Sequence, residues 1–209
     1  MSLSPKLTCG LAAYLELLAR WNYKINLTSL PLAEPTDETF DRLLIEPVVA
    51  VRYLPAPNCS VIDIGSGGGS PAIPMKLAAP GISLRMVESK TRKAAFLREA
   101  VRQLNLGAVE VETARFEELL AQPNMHEAHD IVTLRAVRIE ARTLKIIQAF
   151  LKSEARIFLF RSSASDSDLP TIVPPLAWEG SYPLVESFGS RLVVLKRQNF
   201  PVAAIPARS

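Results

Sequence analysis

Four glycines and two acidic residues stand where an α/β protein could hold a nucleotide-like ligand. Val61–Ile64 has strand character, contains the acid Asp63 and runs into a turn with four of the chain's nine glycines. Glycine adopts φ > 0 in tight turns and lets a ligand approach the backbone, because it carries no Cβ. The next strand candidate ends at Glu88, about 20 residues further on, where an acid in a βαβ unit accepts hydrogen bonds from ribose hydroxyls.

The spacing of these residues separates two classes of ligand. The dinucleotide fingerprint G-x-G-x-x-G requires glycine at Ser70, whereas the pattern present is acid-x-G-x-G-x-G. The carboxylate of Asp63 repels a pyrophosphate and favours a ligand that carries a cationic sulfonium and an amino group. The pattern resembles motif I of the class I methyltransferases, so we expect S-adenosyl-L-methionine as the cofactor. A dinucleotide site and a turn without a ligand are the alternatives.

Arginines are predicted at the edge of the sheet that carries the glycine turn. In an open α/β sheet, ligands bind outside the carboxyl ends of the strands. Arg115, Arg135 and Arg161 each follow a strand candidate, and the helix candidate 90–104 is strongly basic. Its cationic residues are Lys90, Arg92, Lys93, Arg98 and Arg102. This arrangement favours a phosphate-rich substrate such as a nucleic acid.

An alternation of strands and helices must position these residues. From residue 61 onward it predicts a mostly parallel sheet with helices on both faces. The strand candidates are 61–64, 82–87, 109–113, 130–134 and 156–160, and the helix candidates are 71–79, 90–104, 115–121 and 139–152. Segments 182–185 and 192–196 have the pattern of an antiparallel hairpin that closes the sheet. The predicted fold is an α/β Rossmann-like sheet with its last strand antiparallel.

The first 58 residues are predicted to be helical. Apolar residues recur at helical spacing over 7–21, and a second helix candidate spans 38–51, where Pro47 should kink it. We therefore assign residues 1–58 to an N-terminal helical appendage and residues 59–209 to the ligand-binding domain.

Composition limits the other possibilities. Apolar residues make up 48% of the 209, charged residues 22%, and the formal net charge is +3, which permits a polyanionic partner. Cys9 and Cys59 are too isolated for a disulfide framework, and His126 and His129 lack companions at metal-ligand spacing. With no apolar run of membrane-spanning length and no signal-peptide core, we expect a cytoplasmic protein without a metal.

Five motifs resemble one family, the bacterial small-subunit ribosomal RNA methyltransferases of the glucose-inhibited division protein B type. Trp21–Ser29 is similar to W-N-x-x-x-N-L-T-S, and Asp63–Pro71 to D-I-G-S-G-x-G-x-P. Glu88–Lys93 is similar to the family's acid-led helix start, Arg115–Glu117 to R-x-E, and Arg135–Val137 to the end of S-R-A-V. The match covers most of the chain up to about residue 161.

The chain departs from the family pattern in a few places. Leu43 and Pro47 replace a histidine and a serine, Ala72 replaces a glycine, and Leu134 replaces the serine before Arg135. These differences leave the cofactor pattern intact and the exact RNA target open.

The resemblance implies a role for each motif. Cofactor binding falls to Asp63, Gly65, Ser66, Gly67, Gly69, Glu88, Ser89, Phe116, Glu117 and Arg135. RNA binding falls to Asn22, Lys24, Asn26, Lys90, Arg92, Lys93 and Arg161. We expect Arg135 and Arg115 to act as the catalytic residues, by holding the substrate in line with the methyl group.

The implied reaction is methylation of guanine N7 in 16S rRNA, either free or within the small subunit, by a monomer. Guanine N7 offers a free lone pair, so the transfer needs no general base, and the sequence shows no Ser/His, Cys/His or paired-carboxylate constellation. The alternatives are a class I methyltransferase that acts on another RNA or on a small molecule, and a non-catalytic RNA-binding module.

Overall fold

The computed structural model describes residues 3–135, 139–161, 171–186 and 189–199. It contains a seven-stranded sheet in the order β3-β2-β1-β4-β5-β7-β6. The strands are β1 (Ser60–Ile64), β2 (Ser83–Val87), β3 (Val109–Glu112), β4 (His129–Arg135), β5 (Leu151–Arg161), β6 (Leu176–Val185) and β7 (Ser190–Arg197). Neighbouring strands from β3 to β5 are parallel, and β7 is antiparallel to both β5 and β6. The predicted fold class is confirmed.

The register of the central strands brings their carboxyl ends to one edge. Ile64 of β1 pairs with Val87 of β2 on one side and with Leu134 of β4 on the other. Four of the five residues of β1 are buried, as expected for a central strand covered on both faces. The glycine turn after β1, Glu88 after β2 and Arg135 at the end of β4 therefore share this edge.

Helices cover both faces of the sheet. The helices are α1 (Pro5–Asn22), α2 (Asp37–Phe40), α3 (Glu46–Ala50), α4 (Ala72–Ala78), α5 (Thr91–Gln103) and α6 (Ala141–Ile147). One face buries Val61, Ile73 and Phe96 in a cluster that includes residues of α1, α4 and α5. The other face packs Ile62 and Phe150 in a second cluster that includes residues of α6. The two clusters follow from the period of two along the strands.

Helix α6 is shorter than the predicted segment 139–152. It ends at Ile147, a 3-10 turn follows over Gln148–Phe150, and β5 begins at Leu151. Leu151 is buried and pairs with His129 at the start of β4. The expectation for the end of this helix was wrong because pairing with a neighbouring strand outweighed the local helical pattern.

The N-terminal appendage shares the core of the sheet. Tyr14 and Leu18 of α1 are completely buried in the same cluster as Val61 and Phe96. The side chain of Ser4 caps α1 by accepting a hydrogen bond from Leu7 N. Residues on both sides of the predicted boundary at residue 58 therefore contribute to one hydrophobic core. The division into two domains stays a prediction.

The predicted helix 38–51 is interrupted close to Pro47, as expected. A π-helical segment, Asp41–Ile45, joins α2 to α3, and a 3-10 turn over Val51–Tyr53 follows. Glu46 N donates to Asp41 O, which leaves Arg42 O without its usual helical donor. Pro47 has no N–H for Leu43 O. Two carbonyl groups of the appendage are thus available to other partners.

Among the described residues, no helix is both long and apolar enough to cross a bilayer. Within the same ranges, no three His, Cys, Asp or Glu side chains come together as a metal site.

Candidate active site

The glycine turn after β1 is built from backbone conformations that favour glycine. Gly65, Gly67 and Gly69 have φ values of 75°, 51° and 86°. A Cβ added at Gly69 would lie 2.5 Å from the Cδ1 of Ile73. Gly65 N donates to Val87 O at 2.9 Å, which ties the turn to the end of β2. The backbone therefore curves tightly over the carboxyl ends of β1 and β2, where no side chain blocks a ligand at these positions.

Glu88 connects the glycine turn to the start of α5. Its Oε2 accepts a hydrogen bond from Gly67 N at 2.9 Å, and its Oε1 accepts one from Lys90 N at 2.8 Å. An ionised carboxylate has about four acceptor positions, so both oxygens can still accept hydroxyl groups. The residue predicted to bind ribose is thus already oriented by two backbone N–H groups.

Asp63 lies buried beneath the turn. Its Oδ1 accepts a hydrogen bond of 2.6 Å from Thr133 Oγ1, because Asp63 and Thr133 are paired neighbours in the sheet. Its Oδ2 has no hydrogen-bond partner within the described part of the chain. Burial raises the pKa of Asp63, and the hydrogen bond from Thr133 opposes that shift. A buried carboxylate oxygen without a donor fits a cationic or amino group of a ligand. Ser66, which donates to Asp63 O, supports the same turn.

Two cavities flank the turn. The larger, of about 580 Å³, is lined by Leu18, Asn26, Leu27, Thr28, Ser29, Leu30, Arg42, Leu43, Gly65, Ser66, Gly67, Gly68, Ser70, Lys90, Lys93 and Arg135. The smaller, of about 260 Å³, is lined by Ile64, Gly65, Val87, Glu88, Ser89, Ala114, Arg115, Phe116 and Glu117. Gly65 lines both cavities. Asp63 lines neither, so its contact with the ligand stays a prediction.

Besides Gly65, the smaller cavity gathers five residues that were predicted for the site. Glu88 and Ser89 contribute from the end of β2, and Arg115, Phe116 and Glu117 contribute from the segment after β3. An aromatic side chain beside two carboxylates suits an adenosine, with a ring surface for the base and acceptors for hydroxyl groups. Arg115 is exposed, and its backbone N–H donates to Glu118 Oε2 at 3.2 Å.

Arg135 lines the larger cavity, but its described contacts are largely with the appendage. Its guanidinium lies 2.7 Å from Glu46 Oε2, donates to Arg42 O and stands 4.5 Å from the centre of the Phe160 ring. The side chains of Arg135 and Glu46 are only 15% and 5% exposed. Burial lowers the pKa of Arg135 and raises that of Glu46, while the attraction between them opposes both shifts.

These contacts give Arg135 a structural role that the sequence did not predict. Its partner Arg42 O is one of the two carbonyl groups released around Pro47, and the other, Leu43 O, accepts from Ser70 Oγ at 2.9 Å. The catalytic and cofactor-binding roles assigned to Arg135 stay predictions. The next two residues of its motif, 136 and 137, lie outside the described residues.

Tyr14 is a site residue that sequence reasoning missed. Its hydroxyl donates a hydrogen bond of 2.7 Å to Gly68 O, across 54 positions of sequence. A Cβ at Gly68 would lie 3.2 Å from Leu18 Cδ1 and 3.3 Å from Leu27 O, so the turn packs directly on the appendage. The available signal was a tyrosine in the apolar stripe of α1, because a buried hydroxyl requires a hydrogen-bond partner.

The three appendage residues predicted to bind RNA differ in their surroundings. Asn22 Oδ1 accepts hydrogen bonds from Leu27 N at 2.8 Å and from Thr28 N at 3.0 Å, so its amide oxygen shapes the turn after α1. Asn26 lines the larger cavity, and Lys24 is exposed at the surface of the same turn. Contact of these side chains with RNA stays a prediction.

The cationic side chains of helix α5 fall into two groups, one beside the larger cavity and one that binds other groups of the protein. Lys90 and Lys93 line the larger cavity, and Arg92 is exposed beside them. Arg98, in contrast, donates to Val111 O at 3.0 Å, and Arg102 binds Glu99 at 2.7 Å. The second half of the helix thus uses its cations within the protein.

Arg161, the remaining cation predicted to bind the substrate, is the last residue of β5 and is partly exposed. It does not line either cavity beside the glycine turn.

The sheet order, the glycine turn and the acid after β2 define a class I S-adenosylmethionine-dependent methyltransferase. Solved structures of this class share the fold. A putative methyltransferase yhhF from Escherichia coli superposes with a TM-score of 0.60 at 16% identity, over 82% of this chain and 92% of that one. A SAM-dependent methyltransferase from Aquifex aeolicus has a TM-score of 0.58 at 14% identity, over 77% and 94% of the two chains.

The sequence matches narrow the class to a family. The GidB family profile, described as rRNA small subunit methyltransferase G, matches residues 9–172, and the chain belongs to this family. A Ribosomal RNA small subunit methyltransferase G from Polynucleobacter asymbioticus is 31% identical, over 82% of this chain and 77% of the relative. The protein of the same name from Xylella fastidiosa is 32% identical, over 90% and 85%. That from Syntrophotalea carbinolica is 29% identical, over 95% and 93%.

Proposed function

We propose that this chain transfers the methyl group of S-adenosylmethionine to N7 of a guanine in 16S rRNA. The observation that carries the proposal is the charge of the larger cavity. Four cationic side chains line it, from Arg42, Lys90, Lys93 and Arg135, and no carboxylate does within the described part of the chain. Arg42 and Arg135 are ion-paired with carboxylates outside the lining, whereas Lys90 and Lys93 form no ion pair with a described residue. Such a lining attracts phosphates and offers no carboxylate to remove a proton, as suits a substrate atom that carries none.

The cofactor fits the turn between the two cavities. Glu88 would accept hydrogen bonds from the ribose hydroxyls, Phe116 would cover the adenine, and the free Oδ2 of Asp63 would face the positively charged end. When bound, S-adenosylmethionine supplies an electrophilic methyl group on a sulfonium. The chain's own contribution is to fix the direction from which the guanine approaches and to limit the access of water.

Positioning is the main catalytic demand of this reaction. N7 of guanine attacks with a lone pair, and the base becomes positively charged as the bond to carbon forms. Backbone carbonyl and hydroxyl groups near the cavity, such as those of Thr28 and Ser29, are suited to stabilise that charge. Arg135 and Arg115 would hold phosphates or the O6 edge of the base, because guanidinium groups bind both in a bidentate manner.

The test compares 16S rRNA from cells with and without this protein by mass spectrometry of its nuclease fragments. The proposal predicts the loss of one methyl group from a single guanine, restored when the purified protein and the cofactor are added. The same assay on free rRNA and on isolated small subunits identifies which form is the substrate. Unchanged rRNA, with methylation of another RNA or of a small molecule, would support the first alternative.

The second alternative, a non-catalytic RNA-binding module, is tested by cofactor binding alone. Calorimetric titration with S-adenosylmethionine should give saturable binding of one equivalent per chain. RNA binding without any heat of cofactor binding would support the module. Sedimentation of the same sample tests our further proposal that the enzyme is a monomer, and fractionation of cells tests its location in the cytoplasm.

A further inference from the structure

We infer that Tyr23 stacks on an unpaired base of the RNA substrate, at the entrance to the larger cavity. The inference rests on the proposed function, because it adds a contact to the same RNA. Tyr23 is 94% exposed, whereas the two other large exposed hydrophobic residues of the described chain, Phe40 and Trp178, are 40% and 46% exposed. A single exposed aromatic residue is common in soluble proteins, so the surroundings of Tyr23 decide whether its ring can serve a ligand.

The turn that carries Tyr23 is held firmly. Lys24 N and Ile25 N both donate to Trp21 O at 2.9 Å, and Asn22 Oδ1 binds the backbone of Leu27 and Thr28. Tyr23 N itself donates to Ala19 O as the last hydrogen bond of α1. The ring of Trp21 packs edge-on against that of Phe96, 5.8 Å between centroids, which anchors the turn to α5.

An anchored backbone presents the exposed ring in a restricted region. Stacking on a ring whose backbone is already ordered costs less conformational entropy than stacking on a mobile segment.

The turn also forms part of the cavity wall. Asn26, Leu27 and Thr28 line the larger cavity, and Asn26 is three residues from Tyr23. An extended chain spans at most about 3.6 Å per residue, so the Cα atoms of Tyr23 and Asn26 are within about 11 Å. A nucleotide that extends from the cavity toward this turn would thus come within reach of the ring.

Cationic side chains that form no ion pair with a described residue accompany the ring. Lys24 and Arg92 are exposed, Lys90 and Lys93 line the cavity, and none of the four forms an ion pair within the described chain. Proteins that bind single-stranded nucleic acids combine such charges, which follow the phosphates, with aromatic rings on which bases stack. This combination of charge and exposed ring fits single-stranded RNA.

The experiment compares three variants, Tyr23→Ala, Tyr23→Phe and Trp178→Ala. The last is the matched control, an exposed aromatic residue on β6, at the edge of the sheet beyond β7. Affinity is measured by fluorescence anisotropy with a labelled single-stranded RNA oligonucleotide and with purified 16S rRNA, over a range of salt concentrations. Binding of S-adenosylmethionine by each variant is measured by calorimetry, and folding by thermal unfolding.

We expect Tyr23→Ala to bind the single-stranded RNA at least about fivefold more weakly. This is the lower end of the range of affinity losses expected when one base–aromatic stack is removed. Tyr23→Phe and Trp178→Ala should bind like the wild type, and all three should bind the cofactor normally. The slope of log affinity against log salt should not change, because no charge is removed.

Three results would overturn the inference while the proposed function stands. They are normal RNA affinity of Tyr23→Ala, an equal loss in Trp178→Ala, or a loss in Tyr23→Phe as large as in Tyr23→Ala. A wild-type protein that binds the cofactor but neither binds nor methylates 16S rRNA would instead refute the proposed function.

Discussion

Glu88 is the residue through which the glycine turn, β2 and α5 are joined. Its two carboxylate oxygens hold Gly67 N and Lys90 N at 2.9 Å and 2.8 Å. Each contact is a charge-assisted hydrogen bond, the stronger kind in proteins. The side chain therefore both shapes the turn and presents remaining acceptor positions to the ligand.

We predict that Glu88→Ala weakens cofactor binding about 10- to 150-fold, which corresponds to about 1.5–3 kcal/mol for hydrogen bonds to a charged group. Calorimetric titration with S-adenosylmethionine measures the effect. Glu110→Ala is the control. Glu110 is largely exposed and lies on β3, where it pairs with Arg85 of β2, whereas the glycine turn follows β1 on the other edge of β2. Unaltered cofactor affinity together with weaker RNA binding would contradict the assignment.

The ion pair of Arg135 leads to a prediction about the free energy of unfolding. Arg135→Ala leaves the buried carboxylate of Glu46 without its cation, and we expect the free energy of unfolding to fall by about 3–5 kcal/mol. The double variant Arg135→Leu/Glu46→Leu should recover most of this loss, because it removes both charges together. Urea unfolding curves measure each variant. Wild-type stability of Arg135→Ala, combined with lost turnover, would show that the arginine serves the substrate and not the fold.

Helix α5 shows how one element serves both the scaffold and the site. Phe96 and Leu97 are fully buried, and Arg98 and Arg102 bind groups within the protein. At its start, Lys90 and Lys93 line the larger cavity instead, and neither forms an ion pair with another described residue. The difference arises from position, since the N-terminal end of α5 follows Glu88 at the ligand edge of the sheet.

We predict that the triple variant Lys90→Ala/Arg92→Ala/Lys93→Ala lowers the salt dependence of RNA binding. Each lost phosphate contact should reduce the log–log slope by about 0.7 for single strands, and so by about 2 for all three. Arg98→Ala/Arg102→Ala is the matched control on the same helix and should retain the slope. Equal slopes for the wild type and the triple variant would mean that the first turn is only a solvated surface.

At the scale of the whole molecule, the appendage and the sheet form one unit. Tyr14 binds Gly68 O, Ser70 binds Leu43 O, and Arg135 binds Arg42 O, so the glycine turn and β4 are linked to the first 58 residues. The core cluster crosses the same boundary. Cofactor binding and the integrity of the appendage should therefore be coupled.

Global stability should depend on pH through His129 at the amino end of β4. Burial lowers the pKa of this histidine to about 4 in the folded protein, below the ordinary value of 6.5. The unfolded chain therefore binds a proton first as the pH falls, and the stabilisation is lost between about pH 6.5 and pH 4. From pH 7 to pH 5 the contribution is about 2 kcal/mol.

The measurement is urea unfolding of the wild type and of His129→Gln at pH 7 and pH 5. Asp63 and Glu46, whose pKa values are raised, act in the opposite sense, because their folded forms bind protons more readily as the pH falls. The comparison with the variant isolates the histidine. If both proteins lose the same stability between the two pH values, His129 does not titrate as we expect.

The sequence by itself determined the class of fold and predicted the centre of the candidate site. The alternation of strands and helices after residue 61, the glycines and the acid at Glu88 are local patterns, since each depends on the period of one element or the shape of one turn. A hairpin after β5 was likewise visible in two apolar runs separated by a turn.

The tertiary structure alone decided which polar groups meet. Arg135 and Arg42 O are 93 residues apart, and Tyr14 and Gly68 O are 54 apart. No periodic pattern encodes such pairs, because they depend on how the appendage packs on the sheet. Packing also decides the roles of the cations on α5. Arg98 donates to Val111 O, whereas Lys93 lines the larger cavity, and the helical pattern does not distinguish the two. Residue types thus indicated the chemistry, and long-range packing selected the residues that are free to perform it.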